Sequence, residues 1–120
     1  MSFAIWVCCA AFGAFGAIAR AEVSAIAVHR FGALFPWGTL AVNLSGAFLL
    51  GTLHGAGLGH AGMALAGSAF LGSLTTFSTW MLETVRLLQV SLLRASANLI
   101  GSAVVGLGFA ALGNALGSLL

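Results

Sequence analysis

Charged side chains fall in two short clusters that divide an otherwise apolar chain. Residues 1–19 carry none, and Arg20, Glu22 and Arg30 follow. Residues 31–82 are free of them apart from histidines. Glu83, Arg86 and Arg94 form the second cluster, and residues 95–120 again carry none. A helix that crosses about 30 Å of hydrocarbon at about 1.5 Å per residue needs about 20 residues. The first and last runs each suit one such helix. The middle run is too long for one and suits two, joined by a turn at His54-Gly-Ala-Gly-Leu-Gly-His60. The pattern therefore predicts helices near 3–28, 37–53, 62–88 and 94–118. Pro36 falls in the first turn of the second helix, where its missing N–H costs nothing. Trp37 beside it suits the membrane–water interface.

Composition makes lipid the expected solvent. Of the 120 residues, 61% are hydrophobic and 5% charged, against about 25% charged in an ordinary soluble domain. There is too little polar surface to coat a globule in water. The expectation is one all-α membrane domain over 1–120, with the N-terminal run as a membrane helix rather than a signal peptide, since it lacks a basic leading segment. The net charge of +2 comes from scattered arginines, which is no footprint for nucleic acid. Cys8 and Cys9 are adjacent and cannot staple distant segments. No Ser-His-Asp set, paired carboxylate, Cys/His metal spacing or phosphate loop is present, so no enzyme is expected. His29, His54 and His60 fall near span ends and are expected to be solvated. All four arginines lie near one side of the predicted bundle. By the positive-inside rule that side faces the cytoplasm, a bias that runs against insertion in both orientations.

The informative residues are the polar ones inside the spans, because hydrocarbon makes them costly. Thr39 and Asn43 are four apart on the second helix and share a face that Gly46 and Leu50 continue. The fourth helix repeats Asn98, Ser102, Gly106, Ala110 and Asn114 at four-residue spacing. Interior glycines at 13, 16, 46, 51, 101, 106 and 108 point to close helix packing. The third helix holds the strongest signal. Gly72-Ser-Leu-Thr-Thr-Phe-Ser-Thr-Trp80 places five hydroxyl residues in seven positions. Hydroxyls and β-branched threonines compete with the helical ladder. A break there frees backbone groups, which membrane proteins tolerate only where the break is buried or lines a cavity. Interhelical glue is the plainer reading for Thr39 or Ser102 taken singly. Glu83 and Arg86, three apart, are placed to pair. Four short helices enclose no pathway of their own, so the polar stripes should face a second copy of the chain. Hydroxyls, amides and the ring edges of Phe70 and Phe77 are electropositive donors, which suits a small anion better than a cation.

Gly-Ala-Ile-Ala-Arg20, Gly38-Thr-Leu-Ala-Val-Asn43-Leu-Ser-Gly46 and Gly72-Ser-Leu-Thr-Thr-Phe-Ser-Thr-Trp-Met-Leu-Glu83 resemble the CrcB/Fluc family of fluoride channels. Length, helix count and motif order match over essentially the whole chain. The resemblance implies four transmembrane helices with the third broken at mid-membrane. It implies an antiparallel, dual-topology homodimer in the inner (plasma) membrane and two fluoride pores lined by both subunits. It also implies a structural sodium ion, not transported, held by backbone carbonyls of Gly72 and Thr75. Asn43 would donate to fluoride, Phe77 would offer it a ring edge, and Thr39 and Glu83 would lie towards a vestibule. Ser102 would match a hydroxyl on the fourth helix, and Arg20 the arginine of the first. The role implied is passive export of fluoride that has entered as HF, driven by the negative-inside voltage.

The chain departs from the family pattern at Trp80, where Phe is usual, at Asn98, where Tyr is frequent, and at Gly106, where a second hydroxyl is frequent. Trp80 is three residues from Phe77 and belongs to the same expected pathway. Its indole N–H is a donor that a Phe edge lacks. Aimed at the ion, it would slow release, and Trp80→Phe would then conduct equally well or faster. Turned away, it would pack against lipid or the fourth helix. The competing function is a small four-helix multidrug or cation exporter. That class couples through a carboxylate within the first helix, where this chain reads Cys9-Ala-Ala-Phe-Gly13-Ala-Phe-Gly16. A purely structural membrane subunit would leave the hydroxyl cluster without a role.

Overall fold

In a computed structural model that describes residues 2–120, the chain is built of helices. Helix α1 runs Phe3–Phe31, opened by the Ser2 hydroxyl, which accepts the Ile5 N–H, and closed at Gly32 with φ of 77°. Only glycine takes that conformation without strain. Helix α2 runs Trp37–Gly55. Helix α3 covers 60–74 and α4 covers Ser78–Leu88, with an interruption between them. Helix α5 runs Leu92–Gly117, started by the Ser91 hydroxyl, which accepts the Arg94 N–H at 3.2 Å. Met63–Leu71 of α3 and Ala97–Gly101 of α5 are wound as π-helix.

The helix order is the expected one, and the ends move by a few residues. Helix α1 continues past 28 to Phe31, and α2 past 53 to Gly55, so His54 lies in a helix and the turn shrinks to 56–59. Pro36 sits one residue before α2 rather than in its first turn. Its carbonyl accepts the Leu40 N–H at 3.1 Å, so it starts the ladder from outside.

Helices α1 and α5 are each long and apolar enough to cross a membrane. Their apolar side chains are exposed, not buried as in the core helix of a soluble protein. Trp6, Phe15, Ile18 and Val28 on α1, and Val104 and Leu107 on α5, all face outward. Apolar surface this continuous is unstable in water and stable against lipid. The protein is a membrane protein. Its small buried core joins Val42 of α2 to Leu71 and Leu74 of α3, with Ala19, Leu53 and Phe70 packed around them.

Glycine sets how closely the helices approach. Gly51 and Gly55 of α2 lie against the carbonyls of Ala110 and Asn114, while Gly113 and Gly117 of α5 lie against those of Phe48 and Thr52. Each helix thus presents two glycines four apart to the other's backbone, a reciprocal version of the small-residue packing that holds membrane helices together. Gly16 packs in the same way on the Phe70 carbonyl and the Ser73 hydroxyl, and Gly38 on Ser24. Two expected packing glycines behave otherwise, for Gly101 and Gly108 face open space. The α5 stripe also turns inward in part. Ala110 and Asn114 meet α2, and Asn98 is buried within the chain. The view that this whole stripe serves a second copy is corrected accordingly.

A Cβ at Gly113 would overlap the Phe48 carbonyl. Gly113→Val should therefore force α2 and α5 apart and lower stability by about 2 kcal/mol or more, read as a fall in the thermal midpoint of the detergent-solubilised protein. Gly108→Ala, with no neighbour to meet, should stay within about 0.5 kcal/mol of the parent.

Candidate functional site

The interruption between α3 and α4 is the one place where the long third segment leaves helical geometry. Helix α3 ends at Leu74, and Thr75 is extended with φ of −83° and ψ of 160°. The sequence explains why. The Thr75 hydroxyl turns back to the Leu71 carbonyl at 2.9 Å, and the Ser73 hydroxyl reaches the carbonyls of Ala69 at 2.8 Å and Phe70 at 3.1 Å. The single Ser73 hydroxyl hydrogen also has the Gly13 carbonyl of α1 within reach, at 2.7 Å, as an alternative acceptor. Hydroxyls bonded this way compete with the backbone ladder.

Asn43 of α2 holds the break. Its Oδ1 accepts the Thr76 N–H at 2.8 Å, and its Nδ2 donates to the Thr76 carbonyl at 2.9 Å. Both polar groups of one peptide residue are thereby met by one side chain, which also fixes the amide's orientation. The second Nδ2 hydrogen remains for another acceptor. Gly46, one turn further along α2, makes room for the Thr75 methyl, and Gly16 lets α1 close on the segment just before the break.

The clamp changes what neighbouring carbonyls can do. In a continuous helix the Thr76 N–H would go to Gly72 and the Thr79 N–H to Thr75. Here Thr76 bonds Asn43, and the Thr79 N–H goes to the Thr76 hydroxyl at 3.2 Å. Gly72 and Thr75 therefore keep carbonyl oxygens without their helical donors. Freed carbonyls at a helix break are the donor set that membrane proteins present to sodium, so these two residues fit the ion that the resemblance implies.

Beyond the break, Phe77 stands 70% exposed. Its ring meets the Trp80 ring edge-on, with centroids 5.6 Å apart and planes at 85°. The two do share a face. The Trp80 indole N–H, however, donates to the backbone carbonyl of Asn98 on α5 at 2.9 Å. The picture of that N–H aimed at a passing ion is corrected: the side chain is turned to α5, and the donor already has its partner.

Thr39, buried on α2, donates its hydroxyl to the Glu83 carboxylate of α4 at 2.5 Å. Glu83 is thus held by Thr39, where the spacing had suggested Arg86. A cavity of about 420 Å³ opens beside the pair, lined among others by Ser24, Trp37, Thr79, Arg86 and Arg94. Ser102 stands one turn beyond Asn98 on α5, half-buried, and its N–H bonds the Asn98 carbonyl. Arg20 is half-buried within α1, before the cavity end of that helix. His54 bonds Asn114 through Nδ1 at 3.0 Å, which joins the far ends of α2 and α5.

The chain matches the family described as "CrcB-like protein, Camphor Resistance (CrcB)" over residues 7–114. The chain belongs to this family. Relatives named "Fluoride-specific ion channel FluC" share shorter stretches. One from Shewanella amazonensis is 49% identical over 45 residues, 38% of this chain and 36% of the relative. One from Hahella chejuensis is 60% identical over 40 residues, 33% and 32% of the two chains. One from Vibrio cholerae is 55% identical over 53 residues, 44% and 42%. The matched stretches span about a third to two fifths of these relatives' length.

Within the family pattern, the structure brings two of the departures together, since Trp80 bonds the backbone of Asn98. It also reveals a residue that sequence reasoning passed over. The Thr84 hydroxyl donates to the Trp80 carbonyl at 2.9 Å and accepts from Asn98 Nδ2 at 2.9 Å. The signal was present, for Thr84 is four residues beyond Trp80, the spacing at which a helical hydroxyl reaches back to a carbonyl.

Asn43→Ala should leave both Thr76 backbone groups unmet and loosen the break by about 1–3 kcal/mol. Amide exchange at Thr76 should then speed up about tenfold or more, while amides in the middle of α1 keep their parent rates.

Proposed function

We propose that this chain is a fluoride-selective channel that passively exports fluoride across the cell's plasma membrane. In this reading α1, α2, the interrupted pair α3–α4, and α5 make four spans, and two copies pair in antiparallel orientation. The single observation that carries it is the Asn43-clamped break with the exposed Phe77 ring beside it. Membership of the CrcB family and the channel names of the relatives support the choice of ion.

The geometry supplies what a small, strongly hydrated anion needs. Arg86 and Arg94 beside the cavity raise the local concentration of anions. The remaining Nδ2 hydrogen of Asn43 offers a donor in place of water. The exposed Phe77 offers an electropositive ring edge, which attracts an anion without holding it as firmly as a charged group. Conduction needs binding of this intermediate strength. Thr39 fixes the Glu83 carboxylate at the edge of the cavity, and Ser102 supplies a further hydroxyl from α5. Phe77 faces outward from its own chain, so a second copy must complete the wall of the path.

The carbonyls of Gly72 and Thr75 would hold a structural sodium ion, whose positive charge would offset carbonyl dipoles that the break leaves without donors.

The test is fluoride efflux from liposomes that contain only this protein, followed with a fluoride electrode. Efflux should proceed under voltage alone, without ATP or a proton gradient. Phe77→Ile should cut it at least tenfold while the protein still elutes as a dimer. Flux that demands a proton gradient would point to the exporter class instead. Parent-like flux in dimeric Phe77→Ile would remove Phe77 from the path.

A further inference from the structure

Trp80, Thr84 and Asn98 close a ring of hydrogen bonds between α4 and α5. The Trp80 indole N–H donates to the Asn98 carbonyl, the Asn98 amide donates to the Thr84 hydroxyl, and that hydroxyl donates to the Trp80 carbonyl. Each of the three bonds is 2.9 Å long. Asn98 is 1% exposed and Thr84 6%. The Asn98–Thr84 bond is buried and the two bonds of half-buried Trp80 are partly so; away from water hydrogen bonds strengthen one another, and breaking one member leaves another unmet. The Trp80 ring system meets the Phe77 ring in T-shaped contact.

From this we infer that Trp80, Thr84 and Asn98 are positioning residues for Phe77, and together set the ring orientation that governs how fast fluoride passes. The inference rests on the channel reading above. Phe77 is mostly exposed and has little of its own chain to hold it, so the Trp80 ring is its support within the protomer. Trp80 in turn is fixed by α5 through a backbone carbonyl. A Phe at position 80 would fill part of the same space but has no N–H, so it cannot be anchored in this way. The carbonyl it leaves still accepts the Ser102 N–H, so the loss falls on orientation more than on folding. Trp80→Phe should accordingly slow the channel, which reverses the expectation drawn from a free indole donor.

The test combines flux with a direct reading of the indole. In the detergent-solubilised protein, the Trp80 indole N–H is assigned in the NMR spectrum as the resonance absent from Trp80→Phe. It should exchange slowly with solvent in the parent. Thr84→Val should speed that exchange about tenfold, and Thr84→Ser, which keeps the hydroxyl, should restore protection. Fluoride efflux should fall about three- to tenfold in Trp80→Phe and in Thr84→Val, recover towards the parent rate in Thr84→Ser, and fall no further in the double variant, because residues acting as one unit are not additive. An unprotected parent indole, parent-like flux in both single variants, or additive losses in the double variant would overturn the inference. A parent protein that passes no fluoride would overturn the channel reading and this inference with it. The indole exchange would then still show whether the ring of bonds exists.

Discussion

The structure turns on one exchange of hydrogen bonds at Thr76. A peptide group away from water must find a partner within the protein. In an unbroken helix the partners of Thr76 would be its neighbours four residues away. Here they are the two ends of the Asn43 amide, 33 residues earlier in the chain. That substitution lets the helical run of α3 and α4 stop and restart without an unmet group at Thr76. It also releases the Gly72 carbonyl, as the bond from the Thr79 N–H to the Thr76 hydroxyl releases that of Thr75, and Phe77 stands at the edge of the chain, where a neighbour or an ion can reach it.

The clamp works because the surrounding helices come close enough. Asn43 reaches the break only if α2 lies against it, and Gly46 makes room for Thr75 at that contact. Gly16 does the same for α1, and the paired glycines of α2 and α5 set the far side of the bundle. In lipid the apolar effect gives helices little reason to prefer each other over solvent. Contact between backbones, with small residues at the crossing points, takes its place. The polar bonds Thr39–Glu83, Asn43–Thr76 and Trp80–Asn98 then fix which faces meet.

Much of this was legible in the sequence where the signal is local. The hydroxyl run from Ser73 to Thr79 announced the break, since its cause lies in side chains bonding back to their own helix. Thr39 and Asn43 announced themselves by spacing. What the sequence could not show is which atom each would meet. Asn43 clamps a backbone, and Trp80 bonds a backbone carbonyl of Asn98, and no residue type marks a backbone partner. Gly101 and Gly108 looked like packing positions because a glycine reads the same whether it faces a helix or open space. The pairing of Gly51 and Gly55 with Gly113 and Gly117 needs the relative rotation of two helices, which a four-residue spacing on each leaves undetermined. Thr84 was overlooked for a different reason: a single threonine outside the hydroxyl run looks ordinary until Asn98 is seen to end on it.

The central claim is that a break held by one asparagine gives this chain a path for fluoride in preference to larger anions. The most direct measurement is the reversal potential of currents through the purified protein in a planar bilayer, with fluoride on one side and chloride at equal concentration on the other. A fluoride-selective path predicts currents that reverse far from zero, on the side set by fluoride leaving its own compartment. A reversal near zero, or one set by chloride, would contradict it.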